Sequence, residues 1–213
     1  MKILFFGDSL TDATRVRGSA DAGRVAEMYS DTPNAYGTGF VFLTATQLFY
    51  EKPNYYQVLN RGIGGDRLPQ LYARAQLDVW KERPDVLSIL VGTNDLDTEK
   101  NPNATDLERW GRIYRMLISD TQKRCPNTKI MICEPFTANE ETKPYMKEYA
   151  LEAKKIAEEF ALPFVPLQER IDKAIKMYGL KTCFFDGTHP NLVGSKCISE
   201  QWLKIFKQNI LKE

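Results

Sequence analysis

The amino-acid sequence predicts an α/β protein built around a parallel β-sheet. Short apolar runs of strand type alternate with longer stretches whose apolar residues recur at helical spacing, the order that strand–helix–strand units produce. The strand-type runs are nearly continuous in apolar character, as strands covered on both faces must be. The 213 residues suit one compact domain, residues 1–213, with no Ser/Gly linker, internal repeat or low-complexity tract to divide it.

In chain order, Ile3 to Phe6 predicts the first strand. A long polar stretch from Thr11 to Thr38 follows, carrying Arg15, Arg17, Asp21, Arg24 and Glu27 and broken by Gly18, Gly23 and Pro33. A loop of that length is either a solvated insertion or a lid or specificity wall. Val41, Ala45, Leu48 and Phe49 form the first helical stripe, and Tyr56 to Leu59 the second strand. Leu68, Leu71, Tyr72, Ala75 and Val79 mark the next helix, and Val86 to Val91 the third strand. After a loop at Thr98 to Thr105, a stripe runs from Leu107 through Trp110, Tyr114 and Ile118 to Thr121. Ile130 to Cys133 predicts a strand, then Met146, Tyr149, Ala153, Ile156 and Phe160 a helix, then Phe164 to Leu167 the fifth strand. Ile171, Ala174, Ile175 and Tyr178 give a short helix. A last helix from about Asn191 to Leu211 turns Ile198, Trp202, Ile205 and Phe206 inward.

Composition narrows the function. Twenty-nine Lys and Arg against 28 Asp and Glu leave a net charge of +1, so bulk charge attracts neither nucleic acid nor an anionic membrane. The apolar runs are too short to span a bilayer, and the N-terminal run is too short for a signal peptide. Cys125, Cys133, Cys183 and Cys197 form no C-x-x-C pair and are too sparse for a disulfide scaffold. They are expected to be reduced thiols of a cytoplasmic chain, a trimmed secretion signal being the other possibility. His189 is the single histidine. Zinc sites built on several imidazoles within one chain are therefore excluded, and any imidazole acid–base chemistry falls to this residue.

Ligands of an open parallel sheet sit beyond the carboxyl ends of its strands. There the sequence places Gly7-Asp8-Ser9-Leu10, Asn60-Arg61-Gly62-Ile63-Gly64-Gly65-Asp66 and Gly92-Thr93-Asn94-Asp95. Asp186-Gly187-Thr188-His189-Pro190-Asn191 precedes the last helix. These residue types suit acyl transfer from a serine. Ser9 needs a base to take its proton. His189 can be that base and then the acid for the leaving alcohol, with Asp186, three positions earlier, holding the ring tautomer. The Ser9 N–H, the Gly65 N–H and the Asn94 side-chain amide can form the oxyanion hole.

With these four blocks in order from residue 7 to residue 191, the chain resembles the GDSL family of esterases and lipases, also called SGNH hydrolases. The resemblance implies a three-layer α/β/α sandwich around a five-stranded parallel sheet, of flavodoxin-like type. It makes Ser9 the nucleophile, Asp186 and His189 its partners, and Gly65 and Asn94 the oxyanion donors. It further implies hydrolysis of small-molecule esters with no metal or other cofactor. Short acyl groups are expected, acetyl on a sugar first among them, with lysophospholipase- or thioesterase-like acyl hydrolysis as alternatives. The Thr11 to Thr38 stretch exceeds what the compact family pattern needs.

Other roles compete for the same residues. Ser9 can cap a helix, and Asp186 can cap the last one. Gly62-Ile63-Gly64-Gly65 does not fit Gly-x-Gly-x-x-Gly, and no Lys-Ser or Lys-Thr pair makes a P-loop. Asp8, Asp66 and Asp95 can bind a divalent ion or hold the turns by hydrogen bonds, and the second is favoured. The Gly-x-Ser-x-Gly elbow of α/β-hydrolases is absent. A non-catalytic flavodoxin-like module holding a small ligand would use Ser9 and the glycines but leave Asp186 and His189 without work. Arg15, Arg17 and Phe136 are candidate substrate-binding residues, with Tyr29 and Tyr36 as possible lining. Oligomeric state is not legible.

Overall fold

The computed structural model describes residues 1–16, 33–96 and 101–212. In chain order the elements are β1 (Lys2–Gly7), α1 (Ser9–Asp12), α2 (Phe40–Glu51), β2 (Gln57–Gly62), α3 (Leu68–Ala75), β3 (Val86–Leu90), α4 (Leu107–Arg124), β4 (Lys129–Cys133), α5 (Lys143–Glu159), β5 (Phe164–Val165), α6 (Gln168–Tyr178), α7 (Leu180–Cys183) and α8 (Leu192–Phe206). The strands form one all-parallel sheet in the order β2-β1-β3-β4-β5.

Side-chain alternation along β1 shows how the layers form. Ile3 and Phe5 join one buried cluster with α2, α6 and α8, while Leu4 and Phe6 join another with α3, α4 and α5. Both faces of the sheet are thus covered, which is why its strands read as continuous apolar runs. The result is the three-layer sandwich. On the α8 face, Trp202 packs on Phe5 with ring centroids 4.9 Å apart and stacks on Phe206 at 4.8 Å. Its indole N–H donates to Ser88 Oγ at 2.9 Å, which accounts for a buried serine inside β3. Each such large side chain, fully buried, contributes about 1.5–3 kcal/mol.

The strand order reverses between β1 and β3, the topological switch point of such a sheet. Gly7 lies in register with Gly62 of β2 and with Leu90 of β3. The three loops that follow therefore leave the sheet side by side.

Three boundaries differ from the sequence expectation. β2 runs on through Asn60 and Arg61 to Gly62, because the polar Asn60 side chain is buried and donates to the carbonyls of Thr11 (2.7 Å) and Tyr36 (2.9 Å). β5 holds only Phe164–Val165, since Pro166 lacks the N–H that a strand needs. The last helix passes into a π-type turn at Lys207–Leu211. Thr11 and Asp12 belong to α1, and Pro33–Ala35 forms a short 3-10 turn. Arg17 and Tyr29 lie outside the described residues, with most of the long polar stretch. Among the described residues no helix is long and apolar enough to cross a membrane.

Candidate active site

The β1–α1 turn positions Ser9. A Cβ on Gly7 would stand 2.3 Å from the Leu90 carbonyl oxygen, so only glycine lets the chain pass here. Asp8 then caps α1, its Oδ1 accepting the Leu10 N–H at 2.9 Å. The capping role open to Ser9 in the sequence is thus filled by Asp8. Ser9 becomes the first helical residue, whose N–H has no partner in its own helix.

The loop after α7 presents His189. Phe184 and Pro190 form an antiparallel bridge, and the Phe185 N–H donates to the His189 carbonyl at 3.2 Å. Gly187 at φ +79° takes the left-handed turn that other residues resist. Asp186 Oδ1 accepts the N–H groups of Thr188 (2.9 Å) and His189 (2.7 Å), and its Oδ2 lies 2.6 Å from His189 Nδ1. The opposite ring nitrogen, Nε2, lies 2.9 Å from Ser9 Oγ. Burial pushes the Asp186 carboxyl upward, but the His189 and Thr188 hydrogen bonds outweigh it and hold the group below its ordinary range. The last helix is capped by Asn191, which accepts the Val193 N–H at 3.0 Å, and not by Asp186.

The loop after β2 reaches Ser9: a Cβ on Gly64 would stand 3.8 Å from Ser9 Cβ. Gly65 sits at φ +83° with open space where a Cβ would be. Asp12 Oδ2 accepts the Gly64 N–H at 3.1 Å, tying this loop to α1. Asn94 spends one of its two amide N–H donors on the Asp66 carbonyl at 2.9 Å.

Arg74 of α3 joins these loops from behind. Its guanidinium donates to the carbonyls of Gly7 (3.0 Å) and Arg61 (2.8 Å), and pairs with Asp66 (2.7 Å) and Asp78 (2.5 Å). It also lies 4.4 Å from the centre of the Phe6 ring.

Asp8, Asp66 and Asp95 each hold loop structure. Asp66 pairs with Arg74, and both oxygens of Asp95 accept the Leu68 N–H at 3.1 Å. Burial pushes Asp8 up to about 7, with Asp95 and Asp66 adding to the rise and the Leu10 N–H opposing it. Burial likewise pushes Asp95 up to about 6. Among the described residues no group of three or more His, Cys, Asp or Glu is placed to hold a metal ion.

A cavity of about 410 Å³ opens beside Ser9 and His189, lined also by Phe185, Asp186, Ala13, Thr14 and Thr38. Its size falls within the range of small-ligand sites.

The remaining candidates stand elsewhere. Phe136 is corrected from substrate contact to core: it is 1% exposed and packs on Phe184 at 6.3 Å, beneath the His189 loop. Tyr36 is buried against Phe49 at 5.9 Å. Arg15 folds inward, donating to the Gly62 carbonyl at 3.0 Å and lying 3.7 Å from Asp12. It braces the β2 loop instead of facing a ligand. Asp12, Arg74 and Phe185 have no role assigned from sequence, and Asn60 enters there only as part of its polar block. Only Phe185 carried a local signal, as an aromatic immediately before Asp186.

Residues 5–197 match the GDSL-like Lipase/Acylhydrolase family. An acetylxylan esterase from Geobacillus stearothermophilus is 28% identical over 214 residues, covering 95% of this chain and 92% of that protein. A candidate GDSL-like lipase from Parabacteroides merdae has a solved structure that superposes with a TM-score of 0.85 at 36% identity, over 96% of this chain and 94% of its own. The crystal structure of the Geobacillus acetylxylan esterase superposes with a TM-score of 0.81 at 28% identity, over 96% and 93% of the two chains.

Proposed function

The chain belongs to the GDSL-like lipase/acylhydrolase family and is a carboxylic ester hydrolase, and from that premise we propose that it works as a serine acetylesterase on acetylated carbohydrate. The hydrogen-bonded chain Ser9–His189–Asp186 carries the reading, with 2.9 and 2.6 Å between successive atoms.

Ser9 Oγ attacks the ester carbonyl carbon while His189 Nε2 takes the hydroxyl proton. Asp186 accepts from Nδ1–H, keeping Nε2 unprotonated beforehand and stabilising the imidazolium afterwards. The carbonyl oxygen becomes an oxyanion, met by the N–H groups of Ser9 and Gly65 and the second N–H of Asn94. Each such donor is worth about 2.7–4 kcal/mol in the transition state. Collapse breaks the bond to the alcohol oxygen, which takes the proton from His189, and an acyl-Ser9 ester remains. Water, deprotonated by His189, repeats the sequence and frees the acid.

The acetyl and sugar assignments are supported by likeness to the acetylxylan esterase. Residues 1–213 act in this reading as one hydrolase domain, and cysteine usage favours a cytoplasmic setting. Hydrolysis of p-nitrophenyl acetate by the native protein, lost in Ser9→Ala and His189→Ala, tests the chemistry. Equal rates in all three proteins would remove it. A series of acyl chain lengths on one alcohol tests the acetyl preference, and rates that rise toward long chains would favour lysophospholipase or thioesterase activity instead.

A further inference from the structure

We propose that the cavity on the His189 side of the site seats the alcohol portion of the ester, and that Phe185 is the platform on which a sugar ring of that alcohol stacks. The inference rests on the serine esterase reading, and deepens it by assigning a place for the sugar.

The chemistry of the leaving group fixes the side. The alcohol oxygen must come within hydrogen-bond reach of His189 Nε2 to receive its proton. The 410 Å³ cavity is walled by Ser9, His189, Asp186, Pro190 and Phe185, and among the described residues neither Gly65 nor Asn94 lines it. The carbonyl oxygen therefore turns to one side of Ser9 and the alcohol to the other, into this cavity.

Phe185 is unusual there. It is 71% exposed, a state rare for phenylalanine. It is nonetheless held in place: its backbone N–H donates to the His189 carbonyl at 3.2 Å. Its ring stacks on the imidazole with centroids 5.6 Å apart and planes within 13° of parallel. A large apolar ring beside the proton-transfer path, anchored on one side and open elsewhere, is built to be covered by a ligand. The same cavity is lined by the exposed Thr14 and Thr38, whose hydroxyls bond each other at 3.4 Å, Thr38 also lying 3.2 Å from the Ala13 carbonyl. An aromatic floor with hydroxyl walls complements a pyranose, which has a C–H face and a rim of hydroxyl groups.

The test measures kcat/KM on a mono-acetylated xyloside and on ethyl acetate, for the native protein, Phe185→Ala and Phe185→Trp. The expected result is a sugar-to-ethyl selectivity that falls about five- to tenfold in the alanine variant, chiefly through KM for the sugar ester, and returns in the tryptophan variant. An unchanged ratio overturns the proposal, whether both substrates slow together, as they would if the ring only steadies His189 or packs against a second copy of the chain, or neither slows. Failure of the underlying reading shows separately, as activity on both esters that survives Ser9→Ala.

Discussion

Asp186 holds His189 at two points, accepting its backbone N–H at 2.7 Å with one oxygen and facing its ring Nδ1 at 2.6 Å with the other. A single carboxylate thus sets both the loop and the imidazole plane. These hydrogen bonds lie within four residues of chain, so the ring is oriented before any substrate arrives.

Asp186→Asn separates these two duties. An amide can still accept the backbone N–H, but in the orientation that does so its NH₂ faces Nδ1 and favours the wrong ring tautomer. Expected are an intact fold and a fall in kcat of about 10³–10⁴-fold on p-nitrophenyl acetate. Steady-state kinetics beside a thermal melt checks this, and a fall under tenfold contradicts it.

Asp8 leads to a pH effect on stability. Its folded-state pKa of about 7 stands above the ordinary 3.8, so between those values the folded protein keeps a proton that the unfolded chain has released. Stability from this group is full below about pH 3.8 and declines as pH rises toward 7. Asp8→Asn has no charge to bury. The melting temperature of the variant relative to native should rise from about pH 4 to about pH 7 and level off above it, and a constant difference across that range contradicts the assignment.

The two proposed oxyanion donors beyond Ser9 should differ in how they fail. Asn94→Ala removes a side-chain donor and should lower kcat about 10²–10³-fold. Gly65→Ala finds open space for its methyl, so its cost is conformational: about 1–2 kcal/mol of backbone strain at φ +83° and a displaced N–H. Stability should therefore drop in Gly65→Ala and drop less in Asn94→Ala, which gives up the hydrogen bond to the Asp66 carbonyl but strains no backbone, while both lose kcat. The two melts and two kcat values check the contrast.

Arg74 contacts the Gly7 and Arg61 carbonyls and Asp66 together, and in the proposed reading it positions these donors. Lysine can keep one ion pair but cannot reach the Gly7 and Arg61 carbonyls together with Asp66. Arg74→Lys should lower kcat about 10–100-fold through misplaced groups, with KM within about threefold. Because it acts partly through Asn94, its effect should shrink in an Asn94→Ala background. Full additivity in that double-mutant cycle would show a role unrelated to the oxyanion hole.

What could be read in advance follows physical range. The layers of the sheet were legible because burial on both faces leaves unbroken apolar runs, as in Ile3 to Phe6 and Val86 to Val91. Ser9, Asp186 and His189 were legible as candidates because each sits in a short polar block at a strand or helix boundary. Asn60 and Arg74 were not, since their partners lie on separate elements and no local pattern marks a buried amide or a shared guanidinium. The same limit misled on Phe136: an aromatic just past a strand end serves the core or the cavity equally well in sequence, and only its contact with Phe184 decides.

Covalent capture tests the central claim most directly. Incubation with an organophosphonate ester, followed by intact-mass measurement and peptide mapping, should show one adduct per chain, on Ser9. Labelling should vanish in Ser9→Ala and slow by orders of magnitude in His189→Ala. An adduct on any other residue, with esterase activity persisting in Ser9→Ala, would contradict the account.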